Sequence, residues 1–311
     1  ALDEAPEGYW PDRWLACVRE RGRQSGDTPP AQPSFQRPRA GRAVSRQVRT
    51  LASRYFVLYR RDRRNLVILL GQVPLLGLLV ALLFHSDVLV VGNGQSVNAL
   101  TLVFLMVVIV VWCGSIDSAR EIIKERAVFE RERAIGVRNT AFLLSKTSLL
   151  FSLTLVQSLV LCGLVLTLRP LHEQTGAYLV FMALLVLTSW VAVTLGLLLS
   201  ATVRTENQAT SFIPLILIPE LILSGGATPL HQLPSAAQAL ASIIFPRWSF
   251  AALGDVLHFN ARFASDPGGS AQFRQYGHSF FQLSPWVGAG MLVLFLSLFA
   301  TGVLVSLTRD R

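Results

Sequence analysis

The sequence predicts an all-α membrane protein: six transmembrane helices, an amphipathic helix ahead of the first, a charged cytoplasmic helix between the second and third, and re-entrant helices before the last. Three observations carry that prediction. Of the 311 residues, 52% are hydrophobic and only 15% are charged, against roughly a quarter charged in soluble domains. The apolar residues come in blocks of membrane-crossing length. The basic residues fall almost entirely on one side of those blocks.

The blocks are residues 66–84, 97–113, 147–168, 176–200, 209–224 and 285–307. All but 209–224 run to about 17–25 residues, enough to cross about 30 Å of hydrocarbon as a helix. Segment 66–84 holds a lone uncharged polar residue, Gln72. Segment 209–224 is short and contains Pro214 and Pro219. Proline removes a backbone donor and clashes with the preceding turn, so a broken span is expected there.

Residues 1–45 are poor in apolar side chains and rich in Pro, Gly, Arg and Gln. This is the composition of a mobile linker following a preceding domain, with room for one short helix in "YWPDRWLACVRERG". In "RQVRTLASRYFVLYRRDRRN" (46–65), Val48, Leu51, Ala52, Tyr55, Phe56 and Tyr59 recur at helical spacing, with arginines opposite. The stretch predicts an amphipathic helix on the inner membrane surface that also packs on the bundle, the alternative being a plain stop-transfer anchor.

The connection "SAREIIKERAVFERERAIGVRN" (118–139) carries ten charges in twenty-two residues. Glu121 with Lys124, and Arg126 with Glu130, are spaced to pair along a helix. Ile122, Ile123, Val128, Phe129 and Ile135 supply an apolar side. A rigid, mixed-charge helix suits the docking of a cytoplasmic partner; a solvated linker is the alternative. In the loop 225–284, segments 236–245 and 248–257 are apolar but too short to cross. Structureless apolar loops of that length are uncommon, so two re-entrant helices are expected, protected by surrounding protein. "NARFASDPGGSAQFRQYGHS" after them predicts a solvated, turn-rich region.

Segments 37–64, 119–146, 201–208 and 308–311 hold twenty Lys and Arg; segments 85–96, 169–175 and 225–284 hold four. The positive-inside rule therefore puts both termini in the cytoplasm. The net charge is +9, but ten arginines against one aspartate in residues 37–64 point to anionic membrane lipids as the partner, with no nucleic acid. Cys17, Cys113 and Cys162 avoid the outer loops, which excludes a disulfide framework. Twenty-six arginines against two lysines fit a bacterial inner membrane.

No phosphate-cradling G-x-x-x-x-G-K-[ST], no H-E-x-x-H, no G-x-S-x-G and no Cys/His cluster with metal spacing occurs. No catalytic or metal-binding residue and no cofactor is assigned to this chain. Of the ionisable residues in the blocks, Lys146 lies where its stem can snorkel to the inner surface. Glu220 lies near the outer end of its segment, as a capped interfacial carboxylate or as part of a gate or polar relay.

The stretch "EIIKERAVFERERAIGVRNTAFLLSK" resembles the first intracellular loop of the G-subfamily type of ATP-binding-cassette exporters, whose pattern is approximately E-x-x-x-E-R-x-φ-[FY]-x-R-E-R-x-x-G. "YRRDRRN…LLGQVPLLGLLVALLF" is similar to that family's connecting helix and first span. "SGGATPLHQLP" resembles its turn after the fifth span, and "IIFPRWSFAAL" its re-entrant signature. The matches cover residues 46–311 in order, which the resemblance makes a six-span transporter domain.

The resemblance implies two such domains facing each other across a two-fold axis, each served by a nucleotide-binding domain that supplies ATP and Mg, on the same polypeptide or a separate subunit. Glu121, Glu125, Arg126, Glu130, Glu132 and Arg133 would form the coupling helix. Val110, Cys113, Pro214 and Ile218 would line a substrate cavity, with Cys113 where some relatives carry an aromatic. Gly225 and Gly226 would join Glu220 at the gate; where some relatives place a bulky apolar pair after that turn, this chain has Gly226 and Ala227. The function implied is outward movement of an amphipathic or lipid-like substrate by alternating access. A membrane-anchored sensor or scaffold is one alternative. An intramembrane lipid-modifying enzyme is another, but it needs convergent polar groups that Glu220 alone does not provide.

Overall fold

The computed structural model describes Ala16 and residues 40–134, 136–171, 175–266, 269–277 and 279–309. The chain divides into two compact units, Ala1–Ala43 and Val44–Arg311. Apart from Ala16, residues 1–39 lie outside the described residues, and with them most of the expected linker, its short helix and Cys17. Ile135, His172 and His278 lie outside them too.

Among the described residues every regular element is helical. Helix α1 (Ala40–Arg61) starts before the expected stretch 46–65 and ends short of it. Asp62 interrupts the pattern: its carboxylate accepts the Asn65 backbone N–H at 3.2 Å and caps α2 (Arg63–Leu83). The expected single helix is thus an elbow. Leu51 and Tyr55 are buried against the bundle, while Phe56, Val57 and Leu58 face outward.

Among the described residues, five helices are long and apolar enough to cross a membrane: α2, α3 (Ser96–Ser118), α5 (Asn139–Leu168), α6 (Thr175–Thr202) and α12 (Pro285–Arg309). Between α3 and α5 lies the short α4 (Arg126–Ala134). Helix α7 (Glu206–Leu223) has 18 residues and a polar first turn, Glu206, Asn207 and Gln208. It runs unbroken through Pro214 and Pro219, so the expected interruption is absent. Each proline costs a backbone bond, yet a helix held by its neighbours can retain its course.

At the centre, α6 packs against α3, α12, α5 and α7. Small residues let α3 and α6 approach closely, as lipid-embedded helices require where apolar burial supplies little drive. A Cβ on Gly196 would lie 2.1 Å from Ser118 Oγ and 2.5 Å from the Ser115 carbonyl oxygen, so only glycine fits. Ser118 Oγ donates to the Gly114 carbonyl at 2.7 Å. The peripheral helices α2 and α12 turn leucines outward, among them Leu75, Leu79, Leu82, Leu294 and Leu298. In water that surface would drive aggregation; in a bilayer, tails as apolar as leucine cover it.

The loop after α7 contains α8 (Ser235–Ser242), α9 (Phe245–Val256), α10 (Phe259–Ser265) and α11 (Gly269–Tyr276). The first two match the two apolar segments. The stretch expected to be solvated and turn-rich instead carries α10 and α11 around a buried guanidinium. Arg262, 1% exposed, donates to the Leu257 and Leu89 carbonyls, each at 2.7 Å. Phe259, Phe263, Tyr276 and Phe281 pack as a ring cluster beside it. Asp266 accepts the Ser96 N–H at 2.9 Å and the Gly94 N–H at 3.0 Å, capping α3 from a distant part of the chain.

Candidate functional site in the charged connection

The charged connection begins fastened to the end of α6: Ser200 Oγ accepts the Ile122 and Ile123 backbone N–H groups at 3.0 and 3.1 Å. A 3-10 turn (Ile123–Glu125) follows, and then α4, only nine residues long. The single helix expected here is therefore replaced by two short pieces. The expected local pairs, Glu121 with Lys124 and Arg126 with Glu130, give way to longer-range partners.

Lys146, on α5, is the clearest case. It is fully buried, with Nζ donating to Glu121 Oε2 at 3.1 Å and paired with Glu125 Oε1 at 2.8 Å. Its Nζ also sits 4.1 Å from the centre of the Tyr55 ring on α1. It does not snorkel: two carboxylates and an aromatic face replace the water that a buried ammonium would otherwise need. Burial, reinforced by the charge of Glu125, pushes the Tyr55 hydroxyl above its ordinary titration range. Burial and Glu121 do the same for Tyr59.

The other charges reach further helices. Arg126 donates to the Val203 and Ala201 carbonyls at 3.1 and 3.2 Å, the last residues of α6 and just beyond. Glu132 accepts a charge-assisted bond from Arg54 on α1, which raises the guanidinium pKa. Arg133 donates to the Leu307 carbonyl of α12 at 3.2 Å, and Asn139 donates to the same oxygen at 3.2 Å. Phe129 stacks on Phe142 of α5 at 4.0 Å. Gln47 donates to the Gly136 carbonyl at 3.2 Å.

Five of the six residues expected to serve the coupling helix, Glu121, Glu125, Arg126, Glu132 and Arg133, are thus bonded to the chain's own helices. The sixth, Glu130, is exposed, as are Lys124, Ala127, Val128 and Arg131. Sequence reasoning missed Ser200, the Leu307 carbonyl and the inward direction of Lys146. The signal for Lys146 was present: it is one of only two lysines in the chain, set where an arginine-rich protein had ample alternatives.

Beside the connection a cavity of about 340 Å³ opens among Tyr59, Asn65, Gln72, Asp117, Arg120 and Glu206. Asp117, at the end of α3, accepts from Gln72 at 3.1 Å and from Gln157 at 2.8 Å. Of the residues assigned to a substrate cavity, Val110 and Cys113 are buried within the chain, whereas Pro214 and Ile218 lie on the exposed side of α7.

At the opposite end, Glu220 is buried, and its Oε2 has no hydrogen-bond partner among the described residues. Gly225 adopts φ +93°, and a Cβ there would meet the Phe280 ring at 2.8 Å. On Gly226 it would lie 2.0 Å from Phe104 of α3. The turn after α7 therefore receives two aromatic rings where a larger side chain cannot stand. Phe104 and Phe280 meet Phe250 of α9 at 5.7 and 6.1 Å between ring centres.

The family model described as ABC-2 type transporter matches residues 46–257, from α1 to the end of α9. An ABC transporter ATP-binding/permease protein of Mycobacterium tuberculosis is 30% identical over an alignment of 244 residues that covers 74% of this chain and 28% of the relative. The chain thus spans about 28% of that relative's length. With its membrane-crossing helices and a charged connection bonded to several of them, this multi-pass chain belongs to the ABC-2 type transporter family, as a membrane permease domain.

Proposed function

We propose that the chain is the permease half of an ATP-driven exporter that moves an amphipathic or lipid-like substrate outward by alternating access. Its partners are an ATP-binding cassette domain, which contributes ATP and Mg on the same polypeptide or a separate subunit, and a second copy of the permease. The observation that carries this reading is the wiring of the charged connection. Bonds from Glu121, Glu125, Arg126, Glu132 and Arg133 reach α1, α5, α6 and α12, while Glu130 and Arg131 face away. Force applied to the exposed face reaches four helices at once. A solvated linker has no need of such bonds, and a passive anchor gains nothing from transmitting a push.

The second copy is supported by unpartnered apolar faces. Phe212, Leu215, Ile218 and Ile222 form an exposed stripe on α7, and Trp112 and Ile116 are half-exposed on α3. Walls of this kind, without buried charge pairs, favour apolar cargo. In this reading α7 is the fifth of six spans, α8 and α9 are the re-entrant helices, and both termini lie in the cytoplasm of a bacterial inner membrane. Phe104 and Phe280, seated on Gly226 and Gly225, close the outer end, with Glu220 beneath them.

The test is reconstitution with the ATP-binding partner in liposomes. Glu130→Ala with Arg131→Ala is expected to abolish substrate-linked ATP turnover while insertion and thermal stability remain unchanged. Undiminished ATP-dependent transport by that variant would overturn the assignment.

A further inference from the structure

The elbow between α1 and α2 carries two adjoining hollows of different chemistry. One, of about 400 Å³, is an apolar groove against α5, walled chiefly by Phe56, Leu66, Leu70, Leu149, Leu153 and Val156. The other, of about 390 Å³, is lined by Val57, Arg60, Arg61 and Arg63. Arg60 borders both. Among the described residues none of these three guanidiniums has a hydrogen-bond or ion-pair partner. Asp62, the acid between them in sequence, is turned to the Asn65 N–H.

We propose that this elbow binds one anionic phospholipid, with its headgroup phosphate on Arg60, Arg61 and Arg63 and an acyl chain in the groove beside α5. Guanidinium forks suit phosphate oxygens in paired geometry. An unneutralised basic cluster selects an anionic headgroup over a zwitterionic one. The adjoining apolar groove selects a lipid over a free phosphate, because a soluble anion would leave its walls uncovered. The helix that carries Arg60 and Arg61 also carries Arg54 and Tyr55, the α1 partners of Glu132 and Lys146. A lipid seated there braces the helix on which the charged connection is anchored. This bracing role rests on the permease reading above; the binding itself does not.

The test is lipid retention by the intact membrane protein, delipidated, offered phosphatidylglycerol or phosphatidylcholine, and read by native mass spectrometry. Phosphatidylglycerol is expected to be retained over phosphatidylcholine on the order of tenfold to a hundredfold. The triple variant Arg60→Gln, Arg61→Gln, Arg63→Gln removes the preference. Leu153→Trp, which fills the groove, lowers retention of both lipids. Glycerol phosphate at matched concentration is expected not to displace the lipid; displacement would overturn the role of the groove. Equal retention of the two lipids, or an unchanged preference in the triple variant, would overturn the site. None of these readouts needs ATP, so failure of the transport reading shows separately, as lost transport with lipid retention intact.

Discussion

Replacing Lys146 with methionine keeps a long apolar stem and removes a buried charge, which makes it the sharpest test of how the connection is held. The ammonium lies 3.1 Å from Glu121 and 2.8 Å from Glu125. At about 3 Å and an effective dielectric of about 20, each pair contributes roughly 5 kcal/mol of Coulomb attraction. Desolvation of three charged groups offsets much of that. Removing one partner of a buried network is a different matter, because it strands the remaining charges, and typically costs about 3–5 kcal/mol. Lys146→Met should therefore lose about 3–5 kcal/mol of unfolding free energy, measured by reversible denaturation in mixed micelles. Glu121→Gln should lose less, since Glu125 still faces the ammonium. The triple variant Lys146→Met, Glu121→Gln, Glu125→Gln should regain most of the loss, because no charge is left unpaired. A loss of under about 0.5 kcal/mol for Lys146→Met, within the range of ordinary surface substitutions, would refute the reasoning.

Gly196→Ala would drive a methyl group into Ser118 and the Ser115 carbonyl; it should separate α3 from α6 and lose about 1–3 kcal/mol in the same denaturation assay. Gly226→Ala forces the Phe104 ring aside; its thermal destabilisation should be relieved by pairing it with Phe104→Ala, and the absence of rescue would count against that contact. Several lysines introduced into residues 85–96 should disturb membrane topology, read by reporter fusions; an unaffected reporter pattern would undermine the assigned orientation.

The spans were legible because a bilayer imposes one rule, a run of apolar residues long enough to cross, and residues 66–84, 97–113 and 285–307 obey it. The apolar segments that became α8 and α9 were legible by the converse, being too short to cross yet too apolar for solvent. Three features were not. Asp62 looked like one more charge in a basic helix, but a single side chain with an available N–H three residues on was enough to turn the helix into an elbow. Arg262 and Asp266 looked solvated because each is held by backbone groups, at Leu89 and Leu257 and at Gly94 and Ser96, and backbone acceptors and donors leave no mark in composition. The pairing within 118–139 was read as local because i,i+3 and i,i+4 spacings are the pairing a sequence displays. The burial of Lys146 outweighs it: a weak surface pair of a few tenths of a kcal/mol cannot compete with neutralising a buried ammonium.

That competition also separates two jobs within the connection. Glu121 and Glu125 sit at its start, buried and half-buried, and both are paired with Lys146 of α5. Glu132 and Arg133 sit at its end, tied to α1 and α12. Between them Ala127, Val128, Glu130 and Arg131 are exposed on a nine-residue helix, too short to be stable by itself and so dependent on both anchored ends. A helix pinned at two ends and bare along one face moves as a unit with the helices that pin it. Substitution of Glu132 therefore acts through Arg54 and α1, whereas substitution of Glu130 changes only the surface offered to a partner. The two sites should fail differently: the first with altered stability, the second with stability intact.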